Sequence, residues 1–165
     1  MRKIISVTLF IAFTSSLFAQ RKISEPVVFS LENEQLNISK TLLEQYKIIY
    51  YSEPVCSECV TELVNMFNIY KIPFLVVVED RNDIIYRKVK TSEFLNKSEY
   101  IKGVYFDKTM QKNSFKKLYK LSGSYPILIF YSKKLRAYDP SVIFEKGDGV
   151  VIRDKIIKEC LDVSK

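Results

Sequence analysis

Residues 48 to 63 read IIYYSEPVCSECVTEL, and this stretch decides the fold because a short polar break joins an apolar run to a helical pattern. The run from Ile48 to Ser52 is rich in β-branched and aromatic residues, which predicts a buried strand. Apolar residues then recur every three or four positions from Cys59 to Tyr70, which predicts a helix with one buried face. Cys56 and Cys59 therefore lie at a strand-to-helix junction.

This junction suits thiol chemistry. The unpaired N–H groups and the positive dipole end of a helix stabilise an anion, so a cysteine placed there can ionise. We expect Cys56 to be exposed and to act as the nucleophile. Three-residue spacing at a helix start brings Cys59 within the Cβ–Cβ range of about 3.5 to 4.5 Å that a disulfide requires. The pair is therefore expected to open and close reversibly.

A pair of cysteines at this spacing can also bind a metal, attach haem or form a structural disulfide. A zinc site would need carboxylate ligands, because the chain has no histidine and only one further cysteine. The best metal alternative is a monovalent copper site that uses thiolates alone. Haem attachment requires a histidine directly after Cys59, where this chain has Val60. A structural disulfide remains open, although closing so short a loop stabilises a fold little. We predict no metal and no cofactor.

Length and composition indicate one globular domain. The chain has 165 residues, of which 47% are hydrophobic, enough for a sizeable core. Its 26 basic and 19 acidic residues give a net charge of +7, but the basic residues form no block, so we predict no nucleic-acid partner. The absence of histidine excludes Ser-His-Asp, Cys-His and histidine–metal sites.

The first 19 residues have the pattern of a secretory signal peptide. Arg2 and Lys3 precede an apolar run from Ile4 to Phe13, and small residues then lead to Ala19. The run is shorter than the ~20 residues that span a bilayer. We therefore predict a cleaved signal at 1–19, a mature domain at 20–165, and a periplasmic or secreted protein in a compartment where disulfides persist.

Short apolar segments alternate with amphipathic segments along the rest of the chain. Two further helices are predicted at Ser114 to Leu121 and Val151 to Leu161, whereas 81–102 is compatible with helix or strand. This alternation predicts an α/β fold with a central sheet covered on both faces. The predicted strands are Val27 to Leu31, Ile48 to Ser52, Phe74 to Val78, Gly103 to Phe106, Ile127 to Tyr131 and Val142 to Phe144.

Three segments carry a resemblance to a known family: VVFSLENEQLNIS at 27–39, IIYYSEPVCSEC at 48–59, and GVYFDKTMQKNSFKKLYKLSGSYPILIFYSKKLRAY at 103–138. In this order they resemble the landmarks of secreted thioredoxin-like proteins of the TlpA/ResA type. Those landmarks are a strand pair, a strand leading to C-x-x-C, a strand ending in Asp, a short helix and a strand opened by proline. The resemblance implies a thioredoxin-like fold, with a central mixed β-sheet flanked by helices on both faces and an N-terminal strand extension.

The resemblance also implies an activity. Cys56 would attack a disulfide of a client protein and Cys59 would resolve the mixed disulfide, so that the two form a redox-active pair. Pro126 would be a cis-proline beside the pair, and the backbone of Tyr125 would bind an extended client segment. A membrane dithiol donor would reduce the protein again, and we expect a monomer. The alternatives are a redox-inactive binding module with a static bridge and a thiolate copper carrier.

Several residues depart from the family pattern. Glu53 and Glu58 place negative charge near the sulfurs, which opposes the thiolate and predicts a reducing couple, closer to the ~ −270 mV of thioredoxin than to the ~ −120 mV of the strong periplasmic oxidants. Tyr50 stands where thioredoxins keep a buried acid, so the proton acceptor for Cys59 is unassigned; Glu79, Asp80 and Glu58 are candidates. The remaining thiol, Cys160, is predicted to be buried and inert on the last helix.

Overall fold

The computed structural model describes residues 25–53, 57–121, 126–132, 134–138 and 149–162. These ranges contain strands and helices that alternate over much of the chain. In chain order they are β1 Val27–Phe29, β2 Gln35–Asn37, α1 Lys40–Gln45, β3 Lys47–Tyr51, α2 Ser57–Ile69, β4 Phe74–Glu79, α3 Ile84–Leu95, β5 Ile101–Asp107, α4 Phe115–Leu118, β6 Ile127–Ser132, β7 Lys134–Tyr138 and α5 Gly149–Asp162.

The seven strands form one mixed sheet in the order β2-β1-β5-β4-β3-β6-β7. Strands β3, β4 and β5 run parallel, whereas β6 is antiparallel to both β3 and β7. The hairpin β1–β2 extends the sheet beyond β5, with β1 antiparallel to β5. The carboxyl ends of the three parallel strands therefore meet at one edge, where Glu79 is opposite Asp107 and Tyr51 is opposite Val78.

Helices cover both faces of the sheet, as predicted. Alternate residues of β3 face opposite ways, which is the period of a pleated strand buried on both sides. Ile49 and Tyr51 belong to a core cluster with residues of α2, α3 and α5, including Phe67, Phe94 and Ile156. Ile48 and Tyr50 belong to the other cluster, which includes Leu43 of α1 and Phe115 of α4.

Side chains cap three of the helices at their N-termini. Ser39 accepts a hydrogen bond from the N–H of Leu42 at 3.2 Å, and Ser114 accepts one from Lys117 at 3.3 Å. Asp83 accepts from Ile85 at 2.8 Å and from Tyr86 at 3.3 Å. Such caps satisfy N–H groups that have no partner within the helix, and each stabilises a helix by roughly 0.5 to 2 kcal/mol. They fix where α1, α3 and α4 begin.

Most predicted elements are confirmed, and the differences lie in short or polar segments. Five of the six predicted strands match β1, β3, β4, β5 and β6, and the strand predicted at Val142 to Phe144 lies outside the described residues. The segment 81–102, for which both helix and strand were possible, contains the helix α3. The segment predictions did not include α1, the polar edge strand β7 or the short strand β2, although the family resemblance implied an N-terminal strand pair.

One prediction about a buried helix face is wrong, and the exposed face of α3 includes apolar residues. Tyr70 is 41% exposed because α2 ends one residue earlier, at Ile69. On α3 the apolar residues Ile84, Ile85 and Val89 are exposed, and Arg87 is buried instead. Within the described ranges, no helix is both long enough and apolar enough to cross a bilayer.

Candidate functional site

The cysteine junction has the predicted strand-to-helix arrangement. Strand β3 ends at Tyr51, α2 begins at Ser57, and Cys59 lies in the first turn of α2, where it is partly buried and disulfide-bonded. Cys56 lies outside the described residues. Cys160 is a free, buried thiol on α5, as predicted, and burial raises its pKa to about 12, so it is protonated and unreactive at neutral pH.

Pro126 lies close to this junction. It is buried and directly precedes β6, which runs antiparallel to β3 with Ile127 opposite Tyr50. The start of β6 therefore lies beside the end of β3, at the edge from which the chain continues to the cysteines. Tyr125, the other predicted client-binding residue, lies outside the described residues.

Glu53 is held in a cluster of charged side chains just before the cysteines. Its carboxylate lies 2.6 Å from Arg81 Nη2 and 2.8 Å from Lys90 Nζ, and it accepts a hydrogen bond from the Tyr51 hydroxyl at 3.0 Å. Lys90 also pairs with Glu93 at 2.9 Å. The hydrogen bond from Lys90 is the main cause that lowers the pKa of Glu53 below its ordinary value of 4.5.

This cluster changes the electrostatic expectation for the cysteines. Two cations compensate the charge of Glu53, so Glu53 no longer provides a reason to expect repulsion of a nearby thiolate. Glu58 is exposed in the first turn of α2, and no described residue forms an ion pair with it. The uncompensated negative charge before and within the first turn of α2 is therefore smaller than the sequence predicted.

The compensated carboxylate predicts a pH-dependent stability. A carboxyl whose pKa is lower in the folded state binds fewer protons there than in the unfolded state. The contribution of Glu53 to the unfolding free energy is therefore present above pH 4.5 and is lost as the pH falls through its folded-state pKa. Glu53→Gln is expected to reduce the unfolding free energy by about 1 to 2 kcal/mol at pH 7 and by much less at pH 3. Urea unfolding across this range measures the difference. Glu62→Gln, at an exposed position on α2, is the matched control. A pH-independent effect of Glu53→Gln would contradict the expectation.

A second polar group joins the ends of the parallel strands. The Ser52 hydroxyl donates a hydrogen bond to Glu79 Oε2. Lys116 Nζ lies 3.0 Å from Glu79 Oε1 and 3.1 Å from Oε2. Residues after β3, at the end of β4 and on α4 are therefore linked at the edge where β3 ends. The segment that continues from this edge to α2, residues 52–56, is termed the cysteine loop.

Asp107, at the end of β5, is fully buried in this region. Its carboxylate accepts hydrogen bonds from the N–H groups of Phe115 at 2.8 Å and Lys116 at 2.9 Å, and from the Tyr50 hydroxyl at 3.0 Å. Burial raises the pKa of Asp107 above its ordinary value, and these three hydrogen bonds oppose the rise. The hydroxyl of Tyr50 thus donates a hydrogen bond to a buried acid.

The three candidate proton acceptors have different surroundings. Asp80 is engaged by Arg87, with Nε 3.0 Å from Oδ1 and Nη2 2.5 Å from Oδ2, and Glu58 is exposed to solvent. Glu79 is the one that lies in the polar group at the strand ends. Ser52 and Asp107 were not predicted as site residues. The available signal was that Ser52, Glu79 and Asp107 each stand at or just after the end of a predicted strand.

The described part of the chain holds no group of three or more cysteine, aspartate or glutamate side chains placed to bind a metal ion. Comparison with known proteins does not identify the chain: no protein-family model matches it, and no curated protein matches it.

Proposed function

We propose that this protein is an exported thiol-disulfide oxidoreductase with a thioredoxin-like fold, in which Cys56 is the nucleophile and Cys59 the resolving cysteine. The observation that carries the proposal is that Cys59 is disulfide-bonded in the first turn of a helix that follows a central strand. The chain has three cysteines and Cys160 is free, which supports Cys56 as the partner of Cys59.

The sheet supports the fold proposed here. Helix α2 connects the parallel strands β3 and β4, and β6 lies antiparallel on the other side of β3. Because β6 starts directly after Pro126, the proline lies near the end of the strand that leads to the cysteines. A client segment could pair with the backbone at Tyr125 beside this proline, as in recognition by strand addition.

The reaction is an exchange of disulfides. The Cys56 thiolate attacks one sulfur of a client disulfide, the client S–S bond breaks, and the departing client thiolate takes up a proton. Cys59 loses its proton and attacks Cys56, which closes the Cys56–Cys59 bond and releases the second client thiolate. Two electrons pass to the client. Its two thiolates take up two protons, one that Cys59 loses and one from solvent, to which Cys56 lost its own proton on ionisation. A membrane dithiol donor would restore the reduced protein.

The polar group at the strand ends offers a proton acceptor for Cys59. We favour Glu79, because a hydrogen bond from Ser52, four residues before Cys56, holds its carboxylate at the edge where the cysteine loop begins. Asp80 is engaged by a buried arginine, and Glu58 faces solvent. Glu79 would act as a general base that accepts the proton of Cys59. Lys116 and Ser52 would hold its carboxylate in place.

Reduction of insulin by dithiothreitol tests the activity. The wild-type protein is expected to accelerate insulin precipitation well above the rate with dithiothreitol alone. Cys160→Ser is the control and is expected to keep the wild-type rate within about twofold, because Cys160 is buried away from the cysteine loop. A wild-type rate equal to that of dithiothreitol alone would overturn the proposed function and favour a binding module with a static bridge.

A further inference from the structure

A small cavity lies at the edge of the sheet opposite to the cysteine loop. It has a volume of about 140 Å³. Its wall is formed where α1 ends, where β3 begins, in the turn between α2 and β4, and near the end of α5. The residues around it are Glu44, Gln45, Lys47, Tyr70, Lys71, Ile72, Pro73, Cys160 and Leu161.

Lys47 is the unusual member of this wall. The residue is only 3% exposed, and no carboxylate among the described residues acts on its ammonium. Moving an ammonium out of bulk water without a counter-ion is costly, and this desolvation lowers the pKa of Lys47 from its ordinary value. The neighbouring thiol of Cys160 cannot serve as a counter-ion at neutral pH, because its own pKa is raised to about 12.

The rest of the wall favours an anion with an apolar body. Lys71, an exposed residue of the wall, adds a second positive charge, and the one acidic wall residue, Glu44, lies 3.6 Å from Lys40 in an exposed pair. Ile72, Pro73 and Leu161 provide apolar surface. The volume is close to that of cavities of about 150 Å³ that hold a benzene ring.

We propose that this cavity binds a small organic monocarboxylate, whose carboxylate pairs with Lys47 and whose apolar group contacts Ile72 and Leu161. The anion supplies the counter-charge that the described residues do not, and the apolar wall selects against inorganic anions, which have no hydrophobic part to bury. This inference does not rest on the proposed redox function, because the cavity lies at the other edge of the sheet from Cys59.

Titration of the oxidised, full-length mature protein with benzoate tests the site by calorimetry and by amide chemical shifts. Benzoate is expected to bind and to shift signals around Lys47 and Leu161. Benzamide, which has the same shape without the charge, is expected to bind at least about tenfold more weakly. Acetate and inorganic phosphate are expected to bind more weakly than benzoate, because they bury little or no apolar surface.

Two variants separate this site from weak surface binding. Lys47→Met is expected to lose at least about tenfold in benzoate affinity, whereas Lys155→Met, at an exposed position on α5, is expected to keep it. Absence of benzoate binding to the wild-type protein, equal binding of benzamide, or unchanged affinity in Lys47→Met would each overturn the proposal. The comparison of benzoate with benzamide in the wild-type protein tests whether the cavity requires a carboxylate, even if Lys47→Met does not fold.

Discussion

Cys59→Ser is expected to accumulate a mixed disulfide with a client protein, and Cys56→Ser is expected to lose disulfide exchange. In the first variant Cys56 still attacks, but no second thiol can release the client. In the second the nucleophile is absent. The rate of insulin reduction in excess of the rate with dithiothreitol alone should therefore fall by at least about 10³-fold. Non-reducing electrophoresis followed by mass spectrometry of the trapped species measures the first effect, and the insulin assay measures the second.

The control for both variants is Cys160→Ser, which should neither trap a client nor lose activity. The trapped species must be released by dithiothreitol and must contain a cross-link to Cys56. An adduct through Cys160, or undiminished insulin reduction by Cys56→Ser, would contradict the assigned roles of the two cysteines.

Asp107→Leu is expected to destabilise the fold by about 3 to 5 kcal/mol. The substitution removes the acceptor that the N–H groups of Phe115 and Lys116 and the hydroxyl of Tyr50 now share, and a hydrogen bond to a charged group contributes about 1.5 to 3 kcal/mol. Because α4 begins at these N–H groups, its attachment to the end of β5 should weaken as well. Urea unfolding at pH 7, followed by circular dichroism, measures the loss.

Tyr50→Phe is the matched variant for this hydrogen-bond network. It removes one donor and leaves Asp107 with two backbone partners, so a loss of only about 1 kcal/mol is expected. Equal losses in the two variants, or a loss below about 1 kcal/mol for Asp107→Leu, would contradict the view that Asp107 is the centre of the network.

The sequence predicts the central strands of this fold well, because buried strands appear as continuous apolar runs. It predicts edge elements poorly. Strand β7, KLRAY, is a sheet edge with two cationic residues, and charged residues are common where a strand has a partner on one side only. Helix α1 has six residues and is too short to show a clear helical period.

Helix α3 shows that apolar residues on a helix do not by themselves mark its buried face. Ile84, Ile85 and Val89 are all exposed. Arg87 is buried because both oxygens of Asp80 bind its guanidinium, a pairing between residues seven apart that no local pattern reveals. Asp83 caps α3, and aspartate is a preferred N-cap residue type that the sequence prediction did not use.

The candidate site was predictable only in part. The strand-to-helix junction at the cysteines follows from local pattern, and Cys59 lies where that pattern places it. The hydrogen bonds of Ser52 with Glu79 and of Tyr50 with Asp107 join residues 27 and 57 positions apart, so they exist only once the parallel strands align their ends. The compensation of Glu53 by Arg81 and Lys90 likewise depends on the packing of α3.

The central claim is that Cys56 and Cys59 form a couple that opens and closes reversibly. Equilibration with dithiothreitol or glutathione buffers, a denaturing alkylation quench and intact mass measurement test it directly. The protein should carry one alkyl group when oxidised and three when reduced, with a single two-electron transition between about −270 and −200 mV. A bridge that persists far below −270 mV, or two cysteines that titrate separately, would contradict the account.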